Sequence, residues 1–303
     1  MAGAKEFNAK RAAGVRARTR ILVDTRGEIL RQLREALREI QRVLGEAPTD
    51  YQLWSLPQLA REIQRVMGEF STDAAATINA AAELAWTAGE DLIDKPLEAA
   101  GVRVVALRRP SSRQLLAMRA FMTERIKDIG LTAANKINAQ LGLVVIGTQS
   151  ASQAISAVKG ILGEESRARA TTIVRTELSR VYAVASHERL LEVAQRVPGL
   201  QKQWRKSGKA HPRLHHDVID GQVRDVDKPF DLKPFGKPAL QMMFPHDPKA
   251  PASEVINCGC TMIPFKADWT VTYPDRAPGG RDMGPPIGEL LARGAKPGPR
   301  SVR

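Results

Sequence analysis

Cysteine, aromatic residues and uninterrupted apolar runs are all scarce in this chain of 303 residues. Only two cysteines occur, Cys258 and Cys260. They cannot build a disulfide framework of the secreted type, and a reducing, cytosolic site of synthesis fits them best. Phe, Trp and Tyr together make up 5% of residues. Leu, Ile, Val and Ala must therefore fill most of the core, a composition that leans towards helix. No run reaches the roughly 18 apolar residues that cross a bilayer, so no membrane association is expected. The opening MAGAKEFNAKRAAGVRARTR lacks the apolar centre of a secretory signal. Residues 21–162 contain no histidine, no cysteine and no glycine-rich phosphate loop, and nothing in them points to catalysis.

Positive charge, by contrast, is in excess: 46 basic against 33 acidic residues, a net +13. Such a balance favours polyanions or acidic protein surfaces as partners. It is densest in residues 1–20, where Lys5, Lys10, Arg11, Arg16, Arg18 and Arg20 face Glu6 alone. This stretch reads as a basic arm, either disordered or the frayed start of a helix. It would contact phosphates by charge neutralisation, or simply act as a solvated terminus.

From residue 21 the pattern becomes helical. Leu22, Ile29, Leu33, Leu37, Ile40 and Leu44 form one apolar stripe that Gly45 and Pro48 should stop. REIQRVLGE at 38–46 returns as REIQRVMGE at 61–69, and two related amphipathic helices joined by a short link suggest an αα-hairpin. Ser71, Thr72 and Asp73 offer an N-cap for a further helix over 74–93, ended by Pro96. VRVVAL at 102–107 fits a short strand. Ser111 with Gln114, and Ser150 with Gln153, resemble capping boxes for helices over 112–140 and to about 162. Residues 21–162 should thus hold about five helices.

Another helix is expected from about 168 to 197, stopped by Pro198-Gly199. LQKQWRK (200–206) and EVINCGCTMIPF (254–265) are the best strand candidates. Residues 268–303 are rich in Pro and Gly and read as an extended or disordered tail. The expected fold class is α+β: a long, mostly helical N-terminal part, a small α+β C-terminal module and a Pro/Gly-rich tail. The divisions are a basic arm (1–20), a helical docking region (21–162), the module (163–267) and the tail (268–303).

Three stretches carry residues capable of chemistry. Cys258 and Cys260 are separated by one residue, which strains a disulfide between them. They could share a zinc ion, which needs two more ligands from His211, His215, His216 or His246. Alternatively they point to one face of a strand and pack as small hydrophobes. HPRLHHDVIDG at 211–221 could serve acid–base or metal-assisted hydrolysis, or could be an ordered loop whose imidazoles satisfy backbone groups. In VRTELSR, Arg175 and Glu177 lie two apart on a helix and should therefore find different partners, either on the C-terminal loop or in surface pairs.

Taken in order, these elements form a recognisable set. Arg175-Thr176-Glu177, then Trp204, then Arg213, His216 and Asp220-Gly221, then Ala252, Val255-Ile256-Asn257-Cys258 and Cys260 resemble the phage Mu F-type head morphogenesis family of minor capsid proteins. The resemblance covers roughly residues 165–265, and it departs from the family at Gly259, where arginine is usual. It implies a minor head protein of a tailed phage that acts in procapsid assembly. The implied partners are portal, capsid or scaffold proteins, with packaged DNA as a further candidate and no small-molecule substrate. Such a protein is made in the host cytoplasm, resides in the virion and is not an enzyme.

Within the module the resemblance makes Arg175, Glu177, Trp204, Arg213, Asp220, Gly221 and Asn257 structural. Trp204 would be a core anchor and Asp220-Gly221 a turn. Cys258, Cys260 and His216 would share a zinc ion or a hydrogen-bonded cluster. Two other classes of function stay open: a metal-dependent nuclease or toxin-like hydrolase using the histidine loop, and a DNA-binding protein using the basic arm.

Overall fold

The computed structural model describes residues 2–46, 55–102, 104, 113–208, 213–234, 236 and 238–269. Most of VRVVAL, Ser111, His211 and the Pro/Gly-rich tail beyond residue 269 lie outside the described residues. Among the described residues, no helix is long and apolar enough to cross a membrane.

Helix α1 (Ala2–Glu46) includes the basic segment, which is therefore helical rather than disordered. Its apolar stripe is buried at Ile29, Leu33, Ile40 and Leu44 against α2 (Leu56–Ala99). The two helices run antiparallel, as Gln32 bonding Thr77 and Arg65 facing Glu39 at 3.7 Å require. The internal repeat explains this hairpin, because both copies use the same positions in the same way. Ile40 and Ile63 are buried, as are Leu44 and Met67. On the outer face Arg42 bridges Glu39 and Glu46, and Arg65 bridges Glu62 and Glu69.

Helix α2 replaces two expected helices. Ser71 and Thr72 do not cap anything: their hydroxyls donate to the Met67 and Gly68 carbonyls one turn back. Hydroxyl side chains in mid-helix bond in this way when the chain continues past them. Helix α3 (Arg113–Val145) returns antiparallel to α2, with Asn79 bonding Thr123. Helix α4 (Ala151–Gly160) opens with both hydrogen bonds of the Ser150/Gln153 capping box. Among the described residues, 21–162 thus hold four α-helices rather than five. A π-helical turn, Ile161–Ser166, then carries the chain without a break into α5 (Arg167–Ala194).

Helix α5 lies at the centre of the molecule. It contacts α1, α2, α3 and the last strand of the module, and its buried residues, from Ala170 to Val193, lie on every face. Beyond it come β1 (Gln201–Arg205), α6 (Leu214–Val218), β2 (Val223–Asp225), β3 (Phe230–Leu232), β4 (Leu240–Met242), α7 (Ala252–Val255) and β5 (Thr261–Phe265). An antiparallel sheet has the order β2-β1-β5, and β3 pairs antiparallel with β4. Strand β1 alternates, with Lys202 and Trp204 turned inward. Strand β5 is a sheet edge yet wholly buried, because α1 covers it: Arg11 donates to the Pro264 carbonyl at 3.1 Å. An edge covered by a helix is protected from pairing with other chains.

The cysteine segment differs from expectation. Residues 252–255 form a helical turn, β5 begins only at Thr261, and Cys258 and Cys260 lie in the connection between them. Asn257 has φ 54°, in the left-handed region that no strand tolerates.

Candidate metal centre

Three segments far apart in sequence converge behind β1. Helix α6 brings His215 and His216, the turn after β4 brings His246, and the connection into β5 brings Cys258 and Cys260. His216, Cys258 and Cys260 are all buried, and their ligand atoms lie within 4.8 Å of one another. His216 Nδ1 is 3.5 Å from Cys258 Sγ and 3.7 Å from Cys260 Sγ.

The inner imidazole is held from behind. Glu254 Oε2 lies 3.0 Å from His216 Nε2 and 2.6 Å from His215 Nε2. Burial opposes ionisation of Glu254, but hydrogen bonds and charge from His215, and then from His216, outweigh it and lower its pKa. An ionised carboxylate only accepts hydrogen bonds. His216 Nε2 must therefore carry a hydrogen, and Nδ1 is the ring nitrogen that faces the two sulfurs. The edge of Trp204 closes the site at 5.3 Å from the His216 ring, and Phe230 packs on Trp204 in the same edge-on way.

The two thiols are not equivalent. Cys258 is pushed down by its hydrogen bond with Cys260, against burial, with His216 and His246 adding to the effect. Cys260 is pushed up by the same pairing and by burial. The Cys260 N–H also points to Cys258 Sγ at 3.4 Å. The backbone N–H thus singles out Cys258 as the sulfur whose thiolate form is favoured.

His246 stands beside Cys258 but outside the tight triad. It is 0% exposed, and neither ring nitrogen has a hydrogen-bond partner among the described residues. Its φ is 69°, an uncommon conformation for a side-chain-bearing residue. The turn that imposes it is well fastened. Asp247 accepts from the Met243 and Lys249 N–H groups, both at 2.9 Å. The buried Lys202 ammonium donates to the Met243 and Val226 carbonyls.

The other motif residues surround this cluster. Arg213 donates to the Ile256 carbonyl at 2.8 Å. Asp220 accepts from the Lys206 N–H at 3.0 Å, and Gly221 takes φ 87° as the chain turns into β2. In the R-T-E segment the middle residue reaches the cysteine loop: Thr176 Oγ1 accepts from the Asn257 N–H at 3.0 Å. Glu177 instead pairs with Arg180 on its own helix at 2.5 Å, so it does not tie the loop down. Arg175 lines a groove of about 180 Å³ with Arg26, Cys258 and Gly259.

The basic segment also enters this site, which corrects its reading as a set of phosphate contacts. Arg18 is 7% exposed, and its guanidinium donates to the Gly259 carbonyl at 2.7 Å and the Cys260 carbonyl at 2.8 Å. Arg11 is half-buried on Pro264. Neither is free to reach a phosphate, and only Lys5, Lys10, Arg16 and Arg20 remain on the surface. Thr176 and Glu254 are the two residues of this site to which the sequence analysis assigns no role, although Thr176 stands in the R-T-E motif and Glu254 is an acidic residue at the head of an apolar run.

Residues 135–263 match the family described as Phage Mu protein F like protein, so the resemblance drawn from the motif residues holds over that segment. Over 100 residues, 32% of this chain, it is 37% identical to the uncharacterized protein YqbB of Bacillus subtilis (strain 168). Over another 100-residue alignment, 33% of this chain, it is 30% identical to the NAD(+)--arginine ADP-ribosyltransferase EFV of Enterococcus faecalis (strain ATCC 700802 / V583). The matched stretches span 31% and 19% of those proteins. No solved structure matches the chain.

Proposed function

We propose that this chain is a minor head protein of a tailed phage, acting in procapsid assembly through the portal or the inner face of the capsid. The match over residues 135–263 carries this reading. The site's character agrees with it. His216 is 1% exposed and Glu254 4%, and both are turned onto each other or onto the thiols. A hydrolase using the histidine loop would need these groups open to a substrate. Here they fasten a loop.

In this reading the helical part is the docking surface. Helix α3 leaves Leu116, Phe121, Leu131 and Leu143 exposed, which suits a protein partner better than DNA. The match to an ADP-ribosyltransferase covers only 19% of that protein and does not by itself argue for the same activity here.

Quantitative mass spectrometry of purified heads, with and without DNA, tests the proposal. A stable low copy number of this chain per portal is expected in both. Absence from every particle overturns it.

A further inference from the structure

We propose that the module holds a zinc ion in a tetrahedral site formed by Cys258, Cys260, His216 and His246. This goes beyond the head-assembly reading and does not depend on it. With Zn–S of about 2.3 Å and Zn–N of about 2.0 Å, neighbouring sulfur and nitrogen corners of a tetrahedron lie about 3.5 Å apart. His216 Nδ1 stands at 3.5 and 3.7 Å from the two sulfurs. Nδ1 is the nitrogen that faces them, because Glu254 takes the hydrogen on Nε2. That carboxylate–imidazole pair is the usual support of a zinc-bound histidine.

His246 supplies the fourth corner. Neither nitrogen of this buried imidazole makes a hydrogen bond of ordinary length, although Cys258 stands beside it, and buried polar groups so poorly satisfied are rare unless something binds them. This one is also held at φ 69° beside Cys258. Its ring would have to turn towards Cys258 to complete the tetrahedron.

Charge balance supports the same ion. Zinc with two thiolates is neutral. The Glu254 carboxylate and the buried Arg18 guanidinium then cancel, so the site can stay in the dry interior. Two thiolates and two imidazoles in tetrahedral array select zinc among the common divalent metals. The second acidic cluster, His215, His216 and Glu254, is the outer support of this site rather than a rival to it. On binding, the thiols release their protons and the ion joins α6, the turn after β4 and the loop before β5.

The test uses the full chain, purified without chelator. Elemental analysis should find about one zinc per chain, and cobalt exchanged into the site should show tetrahedral d–d bands with thiolate charge transfer. His246→Ala should weaken cobalt binding at least about tenfold and change the d–d bands. Since that variant could also fold poorly, His246→Cys is the companion. It should restore tight binding and add thiolate charge transfer, which a packing role would not do. Folded wild-type chain holding less than about 0.2 equivalents of zinc overturns the proposal. An His246→Ala variant with unchanged affinity and spectrum overturns it equally.

Discussion

Arg18 and Cys260 stand 242 positions apart in the chain, yet Arg18 Nη1 donates to the Cys260 carbonyl at 2.8 Å. Nη2 reaches the Gly259 carbonyl at 2.7 Å, and the guanidinium lies 5.7 Å from the Tyr182 ring. One side chain from the first helix therefore fixes the loop that carries both thiols. Burial lowers its pKa, with Tyr182 and the two cysteines opposing. Removing its charged hydrogen bonds leaves two buried carbonyls unpaired. Arg18→Met is expected to destabilise the protein by about 3 kcal/mol. Arg18→Lys, with one compact donor group in place of a fork, should recover only part of that. Urea unfolding measures both, and a wild-type midpoint for Arg18→Met would show that the contact carries no stability.

The same geometry separates two operations on the basic segment that its sequence makes look equivalent. Deleting residues 2–20 removes Arg18, Arg11 and the fully buried Phe7, whose ring packs edge-on against Trp269 at 5.9 Å. Reversing the charge of Lys5, Lys10, Arg16 and Arg20 touches only exposed side chains. The deletion should therefore expose the cysteine loop to proteolysis and lower Tm, whereas the fourfold Glu variant should keep a protected loop. Equal protease resistance in the two would mean that α1 does not brace the module.

Glycines in the helices divide in the same manner. A Cβ at Gly89 would lie 2.5 Å from the Tyr182 carbonyl oxygen and 2.8 Å from Ala185 Cβ, where α2 and α5 touch. Ser186 bonds the Gly89 carbonyl at the same crossing. Gly89→Ala is expected to cost about 2–3 kcal/mol by overpacking. At Gly68, by contrast, an added Cβ meets nothing within 4 Å, so Gly68→Ala should stabilise by about 0.8 kcal/mol through helix propensity. Thermal unfolding of the pair reads both signs; a harmless Gly89→Ala would mean that α2 and α5 are not in close contact.

Local patterns in the sequence made some of this legible. The stripe from Leu22 to Leu44 and the REIQRV repeat announced the hairpin, because an amphipathic helix writes its buried face into its own spacing. The capping box at Ser150 was legible for the same reason. Helix α5 was legible in its extent, from the Pro198-Gly199 stop, but not in its central position, since a helix buried on every face carries no stripe. The break expected near Ser71 failed because Ser and Thr read as caps unless the chain upstream is already helical. Most of the site was invisible for a deeper reason. Thr176 bonding Asn257, Arg18 bonding Cys260 and Glu254 supporting His216 are pairings across the fold, and no spacing within one segment encodes them. The strand expected around the cysteines is absent because Asn257 takes φ 54° and the loop carbonyls turn to α1.

A buried histidine outside the cluster gives the protein an acid limit. His187 is 5% exposed, packs on Phe244 at 4.6 Å, and is held down to about 3, first by burial and then by the charge of Lys202. In the unfolded chain it takes up a proton below about 6.5. Between these values the unfolded state binds more protons than the folded one. The stability tied to the neutral ring is therefore complete above about pH 6.5 and drains away as pH falls towards 3. By about pH 4.5 this one group should have withdrawn about 3 kcal/mol. His187→Phe cannot take the proton. Whatever constant packing penalty it carries, its stability relative to wild type should rise by that amount between about pH 7.5 and 4.5. Chemical denaturation at the two pH values measures the difference, in which carboxylates common to both proteins cancel. A pH-independent difference would mean that His187 can be protonated without unfolding the site around Phe244.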